Sequence, residues 1–373
     1  MKNKIFKYDF LIVGSGLIGS LAAIALLQKK FKVLVIEKNI SLPNDQRTLA
    51  VNANSRNFLK KIGLWEKLKF EQEPINKILI KDFINENDLL FENSRESMGS
   101  VIFNNSLLKM AREILIQKKA ILFGVDYNSR EIKSKSSVVI NKKNYYFNKI
   151  ILSLGKNYEN FDLFKKSYFN SKHHAYVGFF NHQKKHNQIA YEVFTPSGPL
   201  AVLPSPSLQK KSSTFIYSTK SAMNYNSLVR LINKNFFISH GKINVKRSIS
   251  TYPIRPHLAR PIQKDVLLLG DTAHSIHPVA GQGWNLGIKD IQTLCSNLDQ
   301  HNIDDKNFDH FYFSKRIIEN SSYLVFTNAL NFLYESKNLL SRTIIKFGFF
   351  ALDKIPNLKN LFIKQAMGKI KLI

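Results

Sequence analysis

The stretch GDTAHSIHPVAGQGWNLG, at residues 270–287, decides how this chain folds. It gains its meaning from a second glycine-rich stretch, GSGLIG, at residues 14–19. Because glycine has no side chain, the backbone can come close to a phosphate group or a flat ring at both places. We predict that the two stretches, although they lie in distant parts of the chain, fold together around one ligand.

The first stretch has the setting of a dinucleotide-binding turn. It follows a wholly apolar segment at residues 10–13, which predicts a strand covered on both faces, and it opens a helix that should end near residue 30. Gly14 permits the tight turn, Gly16 lets a pyrophosphate approach the backbone, and Gly19 lets helix and strand pack closely. The amides at the helix N-terminus favour the phosphates.

An acid completes this predicted βαβ unit. A second apolar strand covers residues 31–36, and Glu37 follows it directly. We expect Glu37 to accept hydrogen bonds from the adenosine ribose, which favours a free 2′-hydroxyl, as in FAD or NAD, over a 2′-phosphate. The uncharged run at residues 10–27 is not read as a signal peptide or membrane anchor, because glycines and serines interrupt it and a strand follows.

The second stretch predicts a site for a polyol chain and a planar ring. It follows another short apolar strand, and Asp271 at the mouth of that strand can accept hydrogen bonds from hydroxyls such as those of a ribityl chain. A helix begins near Trp284, and its N-terminus favours negative charge on a ring placed before it. The small residues that leave room for such a ring are Ala280, Gly281 and Gly283. Together the two stretches predict FAD.

Composition narrows the class of protein. The chain has 373 residues, and its 44% hydrophobic content is that of a globular protein rather than a disordered one. The single cysteine, Cys295, excludes an intramolecular disulfide and a multi-cysteine metal cluster. The net charge is +28, but the basic residues are spread along the chain without zinc-finger spacing or an RNA-binding signature. We therefore expect no nucleic acid partner, and anionic lipid remains open.

The histidines offer a metal site that we do not predict. His274 and His277 have an HxxH spacing, and Asp271 lies nearby. Pro278 and the glycines make this segment a turn rather than a helix, so we expect structural hydrogen bonds and no metal. Four other histidines lie in a polar region that we expect to be exposed and without partners. These are His173, His174, His182 and His186.

With these stretches in place, the chain resembles the class A flavoprotein aromatic hydroxylases and, among them, the ubiquinone-biosynthesis hydroxylase family. The resemblance covers nearly the whole chain. It includes RTLAVNANSRNFLKKIGLW at 47–65, YEVFTPSGPLAVLP at 191–204, YPIRPHLARP at 252–261 and PNLKNLFIKQAMG at 356–368. It implies an α/β protein, in which a Rossmann-like FAD-binding domain carries an inserted mixed β-sheet substrate domain and C-terminal helices.

The predicted domains are discontinuous. The FAD-binding domain comprises residues 1–75, 100–165 and 251–300, the substrate domain residues 76–99 and 166–250, and the C-terminal helical region residues 301–373. Within the first domain, the apolar spacing of residues 47–65, including Leu49, predicts the buried face of a helix that ends near Gly63. Residues 107–118 predict another amphipathic helix.

The resemblance also implies which residues hold the cofactor. Arg47 would contact the FAD, and Asp271 would bind its ribityl chain. The residues that would hold the ADP half are Gly14, Gly16, Gly19 and Glu37. The residues that would border the isoalloxazine are Pro278, Ala280, Gly281, Gln282, Gly283, Trp284 and Asn285, with Pro278 and Gly283 nearest to the reacting oxygen. Tyr191 is the predicted substrate-pocket residue.

Two positions depart from the family pattern. The family often has an aspartate in the middle of the FAD domain, in an Ala-Asp-Gly turn after an apolar strand. Here Leu154 stands in its place, which removes a contact to FAD or to the nicotinamide and would weaken FAD retention. Trp284 is bulkier than the aliphatic residue expected beside the flavin.

The function implied by the resemblance is FAD-dependent hydroxylation of a polyprenylated phenol in ubiquinone biosynthesis. NAD(P)H would be the electron donor and molecular oxygen the co-substrate, with a flavin hydroperoxide attacking the ring. We expect a cytoplasmic protein with peripheral contact to the inner face of the membrane, through the apolar segment 344–352 together with Lys346 and Lys364. An assembly of ubiquinone-biosynthesis proteins is a further expected partner. The alternatives are a flavin hydroxylase or reductase acting on another aromatic or isoprenoid substrate, and a non-catalytic accessory protein of that assembly, which Leu154 makes conceivable.

Overall fold

The computed structural model describes residues 6–43, 45, 47–82, 87–126, 137–140, 142–155, 166–169, 171–263, 265–278, 281–336 and 338–370. Within these residues the chain forms four β-sheets, of which two are large, and eight α-helices.

The strands are β1 (Phe6–Val13), β2 (Val33–Glu37), β3 (Thr48–Asn52), β4 (Gln72–Ile75), β5 (Lys77–Asp82), β6 (Asn87–Glu92), β7 (Gly99–Phe103), β8 (Ile121–Phe123), β9 (Ser137–Ile140), β10 (Lys143–Leu152), β11 (Lys166–Tyr168), β12 (His174–His182), β13 (Ile189–Thr195), β14 (Gly198–Pro204), β15 (Ser212–Thr219), β16 (Ile243–Val245), β17 (Ser250–Pro253), β18 (His257–Ala259), β19 (Ile262–Gln263), β20 (Val266–Leu268) and β21 (His274–Ser275). The helices are α1 (Leu17–Gln28), α2 (Ala53–Lys61), α3 (Asn104–Gln117), α4 (Tyr225–His240), α5 (Gln282–Leu298), α6 (Lys306–Glu335), α7 (Leu339–Lys354) and α8 (Pro356–Ala366).

A seven-stranded sheet carries both glycine-rich stretches. Its strands lie in the order β19-β20-β10-β1-β2-β8, and β9 pairs with β10. β1 pairs in parallel with β2 and β10, and β10 pairs in parallel with β20, so the predicted βαβ unit is confirmed. Val13, Leu152 and Leu268 lie side by side at the ends of β1, β10 and β20. The carboxyl ends of three parallel strands therefore meet at one edge, and both glycine-rich stretches leave the sheet there.

An eight-stranded mixed sheet forms a second layer. Its order is β16-β12-β15-β14-β13-β5-β6, with β17 on β12, and only β5 and β13 pair in parallel among its described strands. One face packs against α4, where Phe236 meets Phe180 and Phe215. On the other face Phe194 packs against Tyr334 of α6. This architecture agrees with the predicted α/β class.

The segment from residue 47 to residue 65 differs from the prediction. Its first part is strand β3 rather than helix, and Leu49 pairs with Ile102 of β7. The helix starts only at α2, because the Asn52 side chain accepts a hydrogen bond from the Ser55 N–H at 2.9 Å and caps the helix there. Leu49 therefore belongs to a sheet. The predicted helix at 107–118 is confirmed as α3.

Three helices close the chain. α6, α7 and α8 follow one another and pack in sequence, α6 against α7 and α7 against α8. α6 also packs on α5, which follows the seven-stranded sheet, and α7 packs on β6 of the eight-stranded sheet. The C-terminal helices therefore contact both parts of the structure. Among the residues that the structure describes, no helix is both long enough and apolar enough to cross a membrane.

A buried ionic network joins α5 to α6. Both carboxylate oxygens of Asp290 are used: Oδ2 accepts from the Gly270 N–H and pairs with His274 Nε2, each at 2.8 Å, and Oδ1 accepts from Arg316 Nε at 2.7 Å. Burial alone would raise the pKa of Asp290, but His274 and Arg316 outweigh it and lower that pKa. The network fixes the turn at Gly270 to two helices.

We expect Arg316→Met to lower the free energy of unfolding by about 3–5 kcal/mol, because the change leaves the buried Asp290 carboxylate without its guanidinium partner. Urea unfolding measures the loss. The matched control is Arg342→Met on the exposed surface of α7, which should change stability by less than about 0.5 kcal/mol. Equal effects of the two substitutions would contradict a structural role for the network.

Candidate functional site

The glycines of the first stretch have two different surroundings. Gly14 has φ +97°, and a Cβ added there would lie 2.4 Å from the Ser153 carbonyl oxygen. A Cβ added at Gly19 would lie 2.1 Å from the Gly14 carbonyl oxygen. A Cβ at Gly16 would meet nothing within 4 Å. Gly14 and Gly19 are thus needed for close backbone packing, whereas Gly16 borders open space at the start of α1, where a pyrophosphate could approach.

The two glycine-rich stretches meet at one side chain. Ile18 lies in the first turn of α1, and a Cβ added at Gly270 would be 3.1 Å from its Cγ1 atom. A Cβ added at Gly287 would be 2.8 Å from its Cδ1 atom. The predicted convergence of the two stretches is therefore found in the structure, and glycine at both positions makes it possible.

Glu37 lies against the turn after β1. Its Oε2 atom accepts hydrogen bonds from the Ser15 N–H at 2.8 Å and the Ser15 hydroxyl at 3.0 Å, and its Oε1 atom accepts from the Asn39 N–H at 2.9 Å. A carboxylate has about four acceptor positions, so Glu37 keeps capacity for a ribose hydroxyl. The glycine-rich turn and Glu37, which together form the predicted adenosine site, are thus in direct contact.

Sequence reasoning missed Arg112 of α3. Its Nη2 atom lies 3.5 Å from Glu37 Oε2, and its Nε atom donates to the Ser15 carbonyl oxygen at 3.2 Å. The residue is buried in the helix face that also carries Leu108 and Leu115. The available signal was an arginine within an otherwise apolar helix face. A buried charge requires a partner of opposite charge or a hydrogen-bond acceptor, so such an arginine indicates a buried ionic contact.

Arg47 and Asp271 lie within electrostatic range of each other. Burial lowers the pKa of Arg47, but hydrogen bonds to Asp45 and the negative charges of Asp45 and Asp271 outweigh it, so that pKa is raised. Arg47 Nε donates to Asp45 Oδ1 at 2.8 Å and its Nη2 to Oδ2 at 2.6 Å. The guanidinium lies 5.2 Å from the ring centre of Tyr252. Asp45, which sequence reasoning also missed, thus orients Arg47.

Asn285 ties the second glycine-rich stretch to β3. Its Nδ2 atom donates to the carbonyl oxygens of Ala50 at 2.9 Å and Gly281 at 3.0 Å, and its Oδ1 atom accepts from the Asn52 N–H at 3.1 Å. Gly281 has φ +62°, and a Cβ added there would lie 3.0 Å from Ala50 Cβ. The turn that precedes α5 is therefore held in place by a buried side-chain amide.

The other residues predicted to border the flavin ring differ in their surroundings. Gln282 opens α5, and a Cβ added at Gly283 would find its nearest neighbour 3.9 Å away, which leaves space at this turn. Trp284 is half-buried against the main core, and its Nε1 atom is buried without a hydrogen-bond partner among the described residues. Pro278 is half-buried, and Ala280 lies outside the described residues.

Leu154 packs into the core beneath the site. Its side chain lies against the cluster that contains Val13 and Leu268, and its N–H donates to Thr272 Oγ1 at 2.7 Å. The position where the family often has an aspartate is therefore tied to the turn that carries Asp271. The consequence for FAD retention stays a prediction.

Tyr191 lies on the α4 side of the eight-stranded sheet. Its ring centre is 5.3 Å from that of Phe236, within the core under α4. Its strand neighbours Ala190 and Phe194 belong to clusters on the opposite face. Successive strand residues point to opposite faces, so the strand offers Phe194 and not Tyr191 to the space next to α6.

The expectation of exposed, unpartnered histidines is wrong for three of the four. His173, His182 and His186 are buried, while His174 is exposed. His173 Nε2 pairs with Glu335, and His182 Nδ1–H donates to the Lys184 carbonyl oxygen at 2.6 Å. Glu335 lies far from His173 in the sequence, so the local polar sequence did not reveal this pair. In the described part of the chain, no group of three or more His, Cys, Asp or Glu side chains is arranged to hold a metal ion.

Comparison with known proteins shows to which family this chain belongs. The FAD binding domain family matches residues 7–114 and 174–303, which make up more than half of the chain. This chain belongs to the FAD binding domain family. The predicted FAD-binding fold is therefore confirmed, and the residues present fit the cofactor: open space beside Gly16, acids at Glu37 and Asp271, and room at Gly283.

Several relatives span nearly the whole chain. The ubiquinone hydroxylase UbiL of Rhodospirillum rubrum is 24% identical over 98% of this chain and 90% of that protein. The mitochondrial ubiquinone biosynthesis monooxygenase COQ6 of Dictyostelium discoideum is 25% identical over 98% of this chain and 92% of that protein. Among solved structures, the p-nitrophenol 4-monooxygenase PnpA of Pseudomonas putida DLL-E4 aligns with a TM-score of 0.76 at 13% identity, covering 99% of this chain and 100% of that one. The last similarity concerns the fold.

Two alanine substitutions should separate the roles of the glycines. We expect Gly16→Ala to leave the melting temperature of the FAD-free protein unchanged, because its Cβ enters open space, and to weaken FAD binding at least about tenfold by standing where the pyrophosphate approaches. Gly19→Ala should instead lower that melting temperature by several degrees, because its Cβ meets a backbone oxygen at 2.1 Å. Thermal unfolding and FAD titration measure both effects. The assignment of roles is contradicted if Gly16→Ala destabilises the FAD-free protein as strongly as Gly19→Ala.

Proposed function

We propose that this protein is an FAD-dependent monooxygenase that hydroxylates the aromatic ring of a polyprenylated phenol in ubiquinone biosynthesis. The observation that carries the proposal is the meeting of two glycine-rich stretches at Ile18 in a chain of the FAD binding domain family. Two relatives that match 98% of this chain are named for ubiquinone hydroxylation and for a monooxygenase of ubiquinone biosynthesis, which supports the substrate class.

The chain's own residues bind and orient the cofactor. Gly16 admits the pyrophosphate, Glu37 binds the adenosine ribose, and Asp271 binds the ribityl hydroxyls. Arg47, held by Asp45, neutralises negative charge nearby. When bound, FAD supplies the chemistry by which electrons from NAD(P)H and an oxygen atom from molecular oxygen reach an aromatic ring. The protein contributes position, a dry pocket and electrostatics.

The substrate wall in this proposal is the sheet face that carries Phe194. Phe194 and Tyr334 stack with ring centres 3.9 Å apart and planes 6° apart. Burial, together with the charges of Asp82 and Glu192, raises the pKa of Tyr334, so its hydroxyl stays protonated. Stacked aromatic rings exclude water, and water exclusion favours transfer of oxygen to the substrate over its loss as peroxide.

A purified holoenzyme should couple oxygen to a phenol. With a prenylated phenol, we expect oxygen uptake and NAD(P)H oxidation to rise together and the product to gain one oxygen atom by mass spectrometry. Asp271→Ala should lose most of its FAD and this activity, whereas Asp353→Ala on the exposed part of α7 should match the parent. NAD(P)H oxidation without oxygen uptake would point to a reductase, and protein that binds no FAD would point to an accessory role; either result overturns the proposal.

We also propose that α7 contacts an anionic lipid surface, where such a substrate would reside. Leu340, Ile344 and Phe347 are 68%, 46% and 69% exposed, and their spacing places them on one side of the helix. Arg342 and Lys346 lie on the same helix. The net charge of +28 adds attraction to anionic headgroups. An exposed apolar stripe with basic neighbours is the arrangement of interfacial helices.

Vesicle sedimentation tests this contact. Binding should be stronger to vesicles that contain phosphatidylglycerol than to pure phosphatidylcholine, and salt should weaken it. Phe347→Asn should reduce the bound fraction several-fold, because a buried Phe contributes about 1.5–3 kcal/mol. The matched control is Phe237→Asn, which removes an exposed Phe from α4 and should bind like the parent. Equal binding by the two variants would argue against an α7 contact.

A further inference from the structure

His277 is a buried side chain whose hydrogen bonds are incomplete. It is 1% exposed, and both of its ring nitrogens lack a hydrogen-bond partner among the described residues. Every other histidine with an unsatisfied buried nitrogen in the described part of the chain has only one. Leaving a buried polar group unpaired costs about 1–3 kcal/mol, so a ligand that satisfied one of these nitrogens would gain that energy.

The ring of His277 is held from one side. The ring of His173 contacts it edge to face, with centres 5.2 Å apart and planes 87° apart. His173 is itself fixed, because its Nε2 atom pairs with Glu335 and its Nδ1 atom lies 3.0 Å from the Ser171 hydroxyl oxygen. Its nitrogens are thus in use, and His173 supports His277 through packing.

His277 is connected to both halves of the proposed active site. Pro278, the next residue, begins the turn that should border the flavin. On the other side, the contact with His173 leads to Glu335, and Glu335 follows Tyr334, which stacks on Phe194 of the proposed substrate wall. A ligand in contact with both the flavin turn and this wall would therefore be close to His277.

The protonation state of His277 limits which ligand it can bind. Burial, with a smaller contribution from His173, lowers its pKa to about 3, so the ring is neutral at physiological pH. A neutral imidazole offers one donor and one acceptor. A carboxylate or a phosphate could only accept, and an ether could only accept as well. The unprotonated nitrogen needs a donor, and a hydroxyl supplies one, so a hydroxyl is a better match to this ring.

We propose that His277 binds the phenolic hydroxyl of the substrate, its unprotonated nitrogen accepting the O–H hydrogen bond. The proposal rests on the proposed function. The proton stays on the phenol oxygen, and no covalent bond forms or breaks. The hydrogen bond fixes the ring relative to the turn at Pro278 and increases the electron density of the phenol oxygen and ring, which favours attack by an electrophilic oxygen. His277 is then a residue that selects phenols over their ethers.

The test compares a phenol with its methyl ether on the holoenzyme. The probes are ortho-geranylphenol and its methyl ether, and their dissociation constants are measured through the change in absorbance of the bound flavin. His277→Phe keeps an aromatic ring against His173 and removes both nitrogens. We expect the preference for the phenol over the ether to fall about fivefold in this variant, the effect of one neutral hydrogen bond, while FAD affinity stays within about twofold of the parent.

The matched control is His240→Phe. His240 is also buried and has one unpaired nitrogen, but it is the last residue of α4, so its replacement should leave the phenol preference unchanged. His277→Gln, which restores a donor and an acceptor, should recover part of the preference and keeps the test decisive if the Phe variant is unstable. An unchanged preference in His277→Phe or a complete loss of it in His277→Gln overturns the proposal.

Two further results would distinguish a wrong substrate assignment from a wrong proposed function. If His277→Phe loses FAD while His240→Phe retains it, the partner of His277 is the isoalloxazine, and the substrate assignment is wrong. If the parent holoenzyme binds neither probe, the proposed function fails, and the inference about His277 falls with it. A parent that binds both probes without preference overturns the inference alone.

Discussion

The close approach of α1 to the second glycine-rich stretch is the constraint on which the site depends. Ile18 reaches to within 3.1 Å and 2.8 Å of the places where Gly270 and Gly287 would carry a Cβ. FAD is one covalent molecule, so the proposed phosphate site at the start of α1 and the proposed ring site before α5 must keep a fixed separation. A side chain at either glycine would push the two sites apart. These glycines therefore allow the two stretches to pack closely.

The ionic network around Asp290 helps to fix the position of the second glycine-rich stretch. Its carboxylate binds the Gly270 N–H, His274 and Arg316, and so connects the turn that carries Asp271 to α5 and α6. An isolated buried carboxylate would take up a proton or unfold its surroundings, whereas the paired one stays ionised. An apolar core at this place would pack two helices, but it would not hold a particular backbone N–H in position.

Much of the site could be predicted because its signals are local. The spacing of the glycines, the apolar strands before them and the acid at Glu37 belong to single short segments. Arg112 and His173 could not be assigned roles, since their partners Glu37 and Glu335 come from distant segments. Strand β3 was mistaken for helix because a few apolar residues fit either period, and only the pairing of Leu49 with Ile102 settles it.

The two histidines of the HxxH spacing show where sequence reasoning ends. His274 and His277 lie three residues apart in one turn, and from sequence both receive the same structural interpretation. In the structure His274 uses Nε2 to bind Asp290, while neither ring nitrogen of His277 has a hydrogen-bond partner among the described residues. The ring nitrogens of a structural histidine form hydrogen bonds within the protein, whereas those of a ligand-binding histidine are free to bond to the ligand. The difference depends on which neighbours the fold brings to each ring, so only three-dimensional structure distinguishes the two.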